Sequence, residues 1–375
     1  MDPKTLIDTA PGYLPAPVWF IELFKMLGFT LHAVPMNLWY AGVVLAMVLS
    51  AVGGAHGKRF SARLMSQMPI ILAFGINFGI VPLLFVQVAY AKVFYPATIL
   101  MAWFWLGIIA LLIPAYYGVY FYSSALREGG PRMTLPRRAA GWCAAIMLVA
   151  IAFVFANGFS LMTNIKGWPG IWQEHGTAGA ALGTGLNLAD DTLWPRWLLM
   201  FGLALTTTAA WVVVDAGWFA GRETPEYRRW ARQFAWKLYT LGMAWFAAAG
   251  SWYVFGDWSA EIRQTMFAWP LLPLTLATAL APGLPWLLLV WTGRGDAGPT
   301  RRLAALVGLA QFGVLAVNAV SRQVVQNLEL FDCFPVLDQP TAVQWSPLLA
   351  FLILFLLGAA LVAWMIGQVV KTSKS

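Results

Sequence analysis

The chain has 375 residues, of which 60% are hydrophobic and only 11% are charged, and its mean hydropathy is +0.69. A soluble domain carries roughly a quarter charged residues, so this composition excludes an ordinary soluble enzyme. The net charge of +8 does not indicate a nucleic-acid partner, because the basic residues lie in short clusters between apolar runs. No CxxCH and no CxxC motif occurs, which excludes cysteine-linked haem and a paired-cysteine metal site.

The predicted elements begin with an amphipathic helix at residues 18–26, which is expected to lie on the outer membrane interface. Apolar runs of about 20 residues follow along almost the whole chain, each long enough to cross a hydrocarbon core. They predict an all-α, polytopic membrane helical bundle over residues 28–370, preceded by an N-terminal segment (1–27) and followed by a cytoplasmic tail (371–375). The nine predicted transmembrane helices lie near residues 28–53, 66–90, 97–123, 138–162, 195–220, 233–256, 267–292, 301–321 and 346–369.

Basic residues follow every odd-numbered span, whereas the alternate connections are poor in basic residues and contain the acids Glu174, Asp190, Asp191, Asp257, Glu261, Glu329, Asp332 and Asp338. By the positive-inside rule, this pattern places the amino terminus outside and the carboxyl terminus in the cytoplasm, as expected for a multi-pass protein of the bacterial inner membrane. The basic residues concerned are Lys58, Arg59, Arg63, Arg127, Arg132, Arg137, Arg138, Arg222, Arg228, Arg229, Arg232, Arg294, Arg301, Arg302, Lys371 and Lys374.

Two outer segments, at about residues 163–194 and 322–345, are long enough to fold over the surface of the bundle. Both contain Trp, Pro and acidic residues rather than the Gly and Ser of a free linker, so we interpret them as packed caps or docking surfaces. The chain has no convincing internal repeat, which argues against a transporter built from inverted repeats.

His32 is the most informative polar residue, because it is the only histidine inside a predicted span and polar groups there are costly unless paired or functional. It is either an axial ligand of haem b or a histidine bonded to a backbone carbonyl of a neighbouring helix. His175, in the first cap, is either a second ligand that folds back or a surface histidine. Met200 and Met266 are alternative second ligands, although most methionines here are interpreted as packing residues.

The number of histidines limits the cofactor content. Two stacked haems with two histidine ligands each need four histidines, and this chain has three, of which His56 lies in a cytoplasmic loop. At most one haem is therefore expected. A charged residue near the inner end of the fifth span, Asp215, is expected to pair with Arg222 if it has only a structural role.

Short motifs in four spans resemble subunit I of the cytochrome bd quinol oxidases. The second span, FGINFGIVPLLFVQV from Phe74, is similar to the family's FG-x-x-F-x-x-G stretch, and Gln87 takes the place of the family glutamine. MAWFW from Met101, FANGF from Phe155 and Ser321-Arg322-Gln323 are similar to further family motifs. The resemblance implies nine spans, an outer amino terminus and a haem-ligating histidine early in the first span, the position of His32.

Several functional positions of that family differ in this chain. The region of its second haem histidine falls near Leu199-Met200, where no histidine occurs, and the third span contains no acid for a proton path. The glutamate before the Arg-Gln motif is also missing, and the long quinol loop is reduced to GDWSAEIRQ. The resemblance therefore implies the scaffold without the residues that reduce oxygen.

These observations lead to one main functional hypothesis and two alternatives. The first is a membrane electron-transfer subunit of a respiratory complex, a hetero-oligomer that binds at most one haem b and exchanges electrons with a periplasmic partner such as a multihaem cytochrome c. Quinone is left open as a further ligand, and so is an enzymatic role in a quinol-linked oxidoreductase. A haem-free membrane anchor and a transporter are the alternatives. The expected contacts of the cofactor are His32, His175, Met200, Met266, Arg322, Gln323, Gln87 and Asn157.

Overall fold

The computed structural model describes residues 6–7, 12–127, 133–292 and 298–372 of the chain. The described part is almost entirely helical, which confirms the predicted all-α class. Its helices are α1 Val18–Val52, α2 Ala55–Ala89, α3 Ala91–Leu100, α4 Ala102–Arg127, α5 Leu135–Thr163, α6 Trp168–His175, α7 Leu193–Phe219, α8 Pro225–Ser251, α9 Ala260–Met266, α10 Leu272–Leu280, α11 Gly283–Thr292, α12 Arg301–Leu330 and α13 Trp345–Thr372. The strands β1 Gly176–Thr177 and β2 Ala180–Ala181 form a small antiparallel hairpin.

Eight helical segments of the described chain are long and apolar enough to cross a membrane, so the protein is a multi-pass membrane protein whose helices contact lipid. The predicted span near 233–256 lies in α8, which is more polar and is not among those eight. Helix α8 and its π-helical continuation Trp252–Asp257 nevertheless run antiparallel to α7. Their contacts extend from Arg196 with Tyr253 to Ala216 with Arg228. A ninth crossing is therefore compatible with the course of α8.

Small residues let α7 and α8 approach closely. A Cβ atom on Gly202 would lie 2.7 Å from the backbone nitrogen of Phe246, and one on Gly242 would lie 2.8 Å from that of Thr206. Close backbone packing through small residues is the usual basis of helix association in membranes. Lipid chains are as apolar as the side chains, so the hydrophobic effect contributes little to association there. The two glycines thus explain why this helix pair forms a tight unit of the bundle.

The first helix differs from its predicted extent. α1 is continuous from Val18 to Val52, with a π-helical turn at Leu38–Gly42, and no break occurs near residue 27. Glu22 and Lys25 are each only 6% exposed, so the face of residues 18–26 that carries the two charges packs against the bundle. Trp19 and Leu23 on the other face are exposed.

The bundle has two chemically different ends. At one, which we call the basic end, Arg63 bonds Asp215 and Arg228 donates to the carbonyl of Pro299, so the connections after α1, α7 and α11 converge. Gly141 lies against Met47 there, which brings the start of α5 to the same end. The opposite end, which we call the cap end, carries residues 163–194 and the end of α12.

The predicted pairing of Asp215 with Arg222 is wrong. Its carboxylate accepts hydrogen bonds from Arg63 Nε at 2.7 Å and Nη2 at 2.8 Å, and a third from Gln67 Nε2 at 3.1 Å. Arg222 was expected because it is near in sequence, whereas α2 reaches Asp215 only through tertiary packing. The ion pair joins α2 to the end of α7.

Both predicted caps contain ordered structure. In the first, the backbone nitrogen of Asn187 donates to Asn157 Oδ1 at 3.0 Å, and Trp168 Nε1 donates to the carbonyl of Leu161 at 2.8 Å. The second begins later than predicted, because α12 continues to Leu330. Leu14 then forms a parallel bridge with Thr341, which ties the beginning of the described chain to this cap.

Candidate functional site

A cavity of about 240 Å³, which we call the histidine cavity, lies among α1, α2, α5 and α12 in the half of the bundle nearer the cap end. Its walls are mainly apolar and aromatic, and its polar groups come from α1 and α12. Enclosure by apolar walls with a few convergent polar groups is typical of small-molecule and cofactor sites. The residues that define it here are Lys25, Phe29, His32, Trp39, Tyr40, Gly75, Gly79, Phe155, Phe159, Met200, Arg322, Gln323 and Gln326.

The imidazole of His32 is held by a backbone group of the next helix. Its Nδ1 lies 2.8 Å from the carbonyl oxygen of Gly75, and because a carbonyl only accepts, Nδ1 must carry the proton. Nε2 then keeps its lone pair and forms no hydrogen bond within the described residues. The predicted bond of His32 to a neighbouring backbone carbonyl is therefore found, and it leaves the second ring nitrogen available. This arrangement is the usual one for a metal-ligating histidine.

Glycines on α2 make room for this ring. A Cβ on Gly79 would lie 2.8 Å from Cε1 and 2.9 Å from Nδ1 of His32, closer than real Cβ contacts. Gly75, one turn earlier, supplies the carbonyl and lies against the indole of Trp39. Gly75 and Gly79 lie one turn apart and have no side chains, so the imidazole of His32 packs directly on the backbone of α2.

Two cations line the histidine cavity without a salt bridge in the described part of the chain, although the carboxylate of Glu22 lies near enough to Lys25 to interact with its charge. Arg322 makes no hydrogen bond or ion pair there; its guanidinium carbon lies 4.8 Å from the ring centre of Phe29 and 5.3 Å from that of Phe159. Lys25 Nζ is buried without a hydrogen-bond partner, 3.9 Å above the ring centre of Tyr90. Cation–π contacts offset only part of the cost of burying such charges. The site therefore favours an anionic or strongly hydrogen-bond-accepting ligand.

A polar network lies beside Lys25. The hydroxyl of Tyr90 donates to Glu22 Oε1 at 2.6 Å and accepts from Gln323 Nε2 at 2.7 Å, and the same amide reaches Asn327 Oδ1 at 2.9 Å. The second oxygen of Glu22 has no hydrogen-bond partner. These contacts fix α1, the loop residue Tyr90 and α12 relative to one another at the cap end of the histidine cavity.

A second cavity of about 380 Å³, which we call the lateral cavity, adjoins the first between α7, α8, α10 and α12. Arg322, Met200 and Gln326 line both cavities. At the polar end of the lateral cavity, Arg196 pairs with Glu329 and donates from Nε to the hydroxyl of Tyr253 at 2.8 Å. The shared residues make the two cavities neighbouring compartments of one region.

The structure brings together four of the eight residues predicted to contact a cofactor. His32, Met200, Arg322 and Gln323 all line the histidine cavity. Their convergence follows from the packing of α1, α7 and α12, which are distant in sequence.

The other four lie elsewhere. His175 is at the cap surface with its Nδ1 3.1 Å from Thr184 Oγ1, and Met266 is buried with Trp258 and Val325, so neither lines the histidine cavity. Gln87 accepts a long hydrogen bond of 3.5 Å from Tyr95, and Asn157 is tied to the first cap. All four positions lie outside the lining of both cavities.

Sequence reasoning missed Lys25, Glu22, Tyr90 and Gln326. The sequence analysis assigns Lys25 and Glu22 to an interfacial helix. Charged residues are common on such helices, so the sequence did not indicate that these two side chains are buried. The length of the apolar run that continues from residue 18 into the first span was the available clue, since one unbroken helix would carry both charges into the bundle.

Comparisons with known proteins do not identify a family for this chain: no family model matches the sequence, and no curated protein matches it. Within the described residues, no group of three or more His, Cys, Asp or Glu side chains is placed to hold a metal ion by itself.

Proposed function

We propose that this chain is a membrane electron-transfer subunit that holds one haem b in the histidine cavity, with His32 as an iron ligand. The observation that carries the proposal is the hydrogen bond from Nδ1 of His32 to Gly75, which leaves Nε2 as a free neutral ligand at a cavity wall. When bound, the haem would supply one-electron chemistry.

The residues around the cavity suit such a group. Haem b carries two carboxylates; Arg322 offers a positive charge that forms no salt bridge in the described residues, and Lys25, beside Glu22, offers a second cation. Aromatic walls from Phe29, Trp39 and Phe155 would exclude water from the ring. Met200 is the neighbouring side chain able to act as a second, thioether ligand.

The wider role follows from this placement. The site lies in the half of the bundle nearer the cap end, and in the orientation given by the positive-inside rule that end faces the periplasm. An electron carrier there would exchange electrons with a periplasmic redox protein, such as a multihaem cytochrome c, within a hetero-oligomer of the bacterial inner membrane. The lateral cavity offers space for a quinone as a second ligand.

The test is a pyridine haemochrome assay on the purified chain and on two histidine variants. We expect one haem b per chain, its loss in His32→Ala, and no loss in His175→Ala, because His175 lies at the cap surface beside Thr184. Met200→Leu should keep the haem and change its visible spectrum toward a high-spin form.

Two results would contradict this proposal. Equal haem content in the His32→Ala and His175→Ala variants would remove the proposed ligand. A colourless wild-type chain that co-purifies with a stable periplasmic partner would favour the haem-free anchor.

A further inference from the structure

The lateral cavity combines an apolar opening with a polar end. Phe255, Phe267 and Leu276, at its rim, are 64%, 38% and 47% exposed; Phe255 follows α8, Phe267 follows α9 and Leu276 lies in α10. Exposed apolar side chains on transmembrane segments face lipid. The cavity is therefore accessible from the side, to molecules dissolved in the bilayer.

The polar end carries the guanidinium of Arg322, which makes only cation–π contacts in the described chain. Glu329 Oε2 also lacks a hydrogen-bond partner there, whereas the amide of Gln326 and the indole of Trp258 lie beside the hydroxyls of Tyr90 and Tyr253. Buried polar groups in native proteins nearly always have a partner. A buried guanidinium without a hydrogen bond at one end of a 380 Å³ space therefore indicates a bound anionic group.

The charge of that group follows from the lining. Arg196, Arg322 and Glu329 are the charged residues around the lateral cavity, and Arg196 already pairs with Glu329. The remaining positive charge belongs to Arg322. A ligand with a single negative charge would neutralise it, and a hydroxyl on the same ligand could donate to Glu329 Oε2.

The polar end of the lateral cavity extends from head-group depth at Glu329 to the outer edge of the hydrocarbon core at Arg322. Glu329 lies in the last turn of α12 and Arg196 in the first turn of α7. Arg322 is seven residues before Glu329, about 10 Å along the helix axis. A 30-residue helix is about 45 Å long, so its last turns extend past a hydrocarbon core of about 30 Å.

We infer that the lateral cavity binds the head group of a phospholipid with a single negative charge and free hydroxyls. Its phosphodiester accepts hydrogen bonds from Arg322, and a head-group hydroxyl donates to Glu329. The acyl chains leave through the apolar rim into the bilayer. Both proposals use the guanidinium of Arg322, but Glu329 and the apolar rim lie outside the histidine cavity, so the lipid can bind whether or not haem is present.

Native mass spectrometry of the delipidated chain tests the inference, with phosphatidylglycerol, phosphatidylethanolamine and phosphatidylcholine added at equal concentration. We expect one tightly retained phosphatidylglycerol, preferred about tenfold over phosphatidylcholine, as a charge-assisted contact would give. Arg322→Gln should remove this preference. Arg322→Lys, which keeps the charge, should retain most of it.

Arg301→Gln is the matched control, because Arg301 is exposed at the basic end of the same helix. It should leave the preference unchanged. His32→Ala should also retain the lipid whether or not the wild-type chain contains haem, which separates this inference from the proposed electron-transfer role.

Several outcomes would overturn the inference: equal retention of the three lipids, retention of none with water alone in the cavity, or equal effects of Arg322→Gln and Arg301→Gln. Competition by soluble glycerophosphoglycerol at millimolar concentration would mean that the ligand is a water-soluble phosphate ester and not a lipid.

Discussion

Gly79 shows how one missing side chain shapes the histidine cavity. The imidazole of His32 occupies the space where a Cβ would lie, and its hydrogen bond to Gly75 holds it there. Overpacking of a filled interior usually costs about 1–3 kcal/mol because side chains or backbone must shift. The same displacement would turn Nε2 away from the cavity.

We therefore expect Gly79→Ala to lower the free energy of unfolding by about 1–3 kcal/mol and to lower haem content with it. Thermal unfolding in detergent measures the first effect. Gly107→Ala is the control, because a Cβ there meets nothing within 4 Å. Identical unfolding temperatures for the two variants would show that α2 does not press on His32.

At the scale of elements, α2 and α7 are joined by the pair of Arg63 and Asp215, whose side chains are 17% and 2% exposed. A second acid, Glu223, lies just after α7 and accepts from Arg63 Nη1 at 3.0 Å and from Arg59. Removal of one partner from a buried pair leaves an uncompensated charge, whereas an exposed pair contributes little.

Asp215→Asn should accordingly destabilise the chain by about 3–5 kcal/mol, while Arg59→Gln should cost about 0–1 kcal/mol. Arg59 is a suitable control because its side chain is 59% exposed and contacts the same cluster. Unfolding by denaturing detergent compares the two variants. A cost for Asp215→Asn no larger than that for Arg59→Gln would contradict a structural role for this pair.

Glu223 also gives this cluster a pH dependence. The hydrogen bond from Arg59, together with the charges of Arg59 and Arg63, holds the pKa of the Glu223 carboxyl below its usual value. A lowered pKa means that the stabilisation is present above the unfolded value of about 4.3 and is lost as pH falls through the folded value. In Glu223→Gln, unfolding temperature should fall less steeply with acid than in the wild type; parallel curves would argue against the linkage.

At the scale of the whole molecule, the structure gathers basic connections at one end of the bundle. Arg63, Arg228 and the start of α12 meet there, and α5 begins there beside Met47. The opposite end carries the hairpin of β1 and β2 in the first cap. The positive-inside rule then assigns the basic end to the cytoplasm.

Reporter fusions test this orientation. Green fluorescent protein inserted near residue 134 should fluoresce, and alkaline phosphatase inserted at the hairpin tip, Ala178-Gly179, should be active. Thr134 and the hairpin tip are both exposed, so a protein inserted at either position should disturb the bundle little. The reverse pair of signals would place the histidine cavity nearer the cytoplasm and remove the argument for a periplasmic partner.

The sequence by itself determined the class of this protein and most of its helices. Long continuous apolar runs predict segments that lie in a bilayer. Backbone N–H and C=O groups there must form their hydrogen bonds within helices, because no water is available. It also indicated His32, Met200, Arg322 and Gln323, because polar or liganding side chains inside apolar helices are few.

Only the tertiary structure decided which of these residues meet. It packs Lys25 and Glu22 inside the bundle, replaces Arg222 by Arg63 as the partner of Asp215, and leaves His175 at the cap. In each case the local pattern was compatible with either outcome. The outcome depended on which helices, distant in sequence, pack together at glycines such as Gly79. The local sequence does not specify that partner helix.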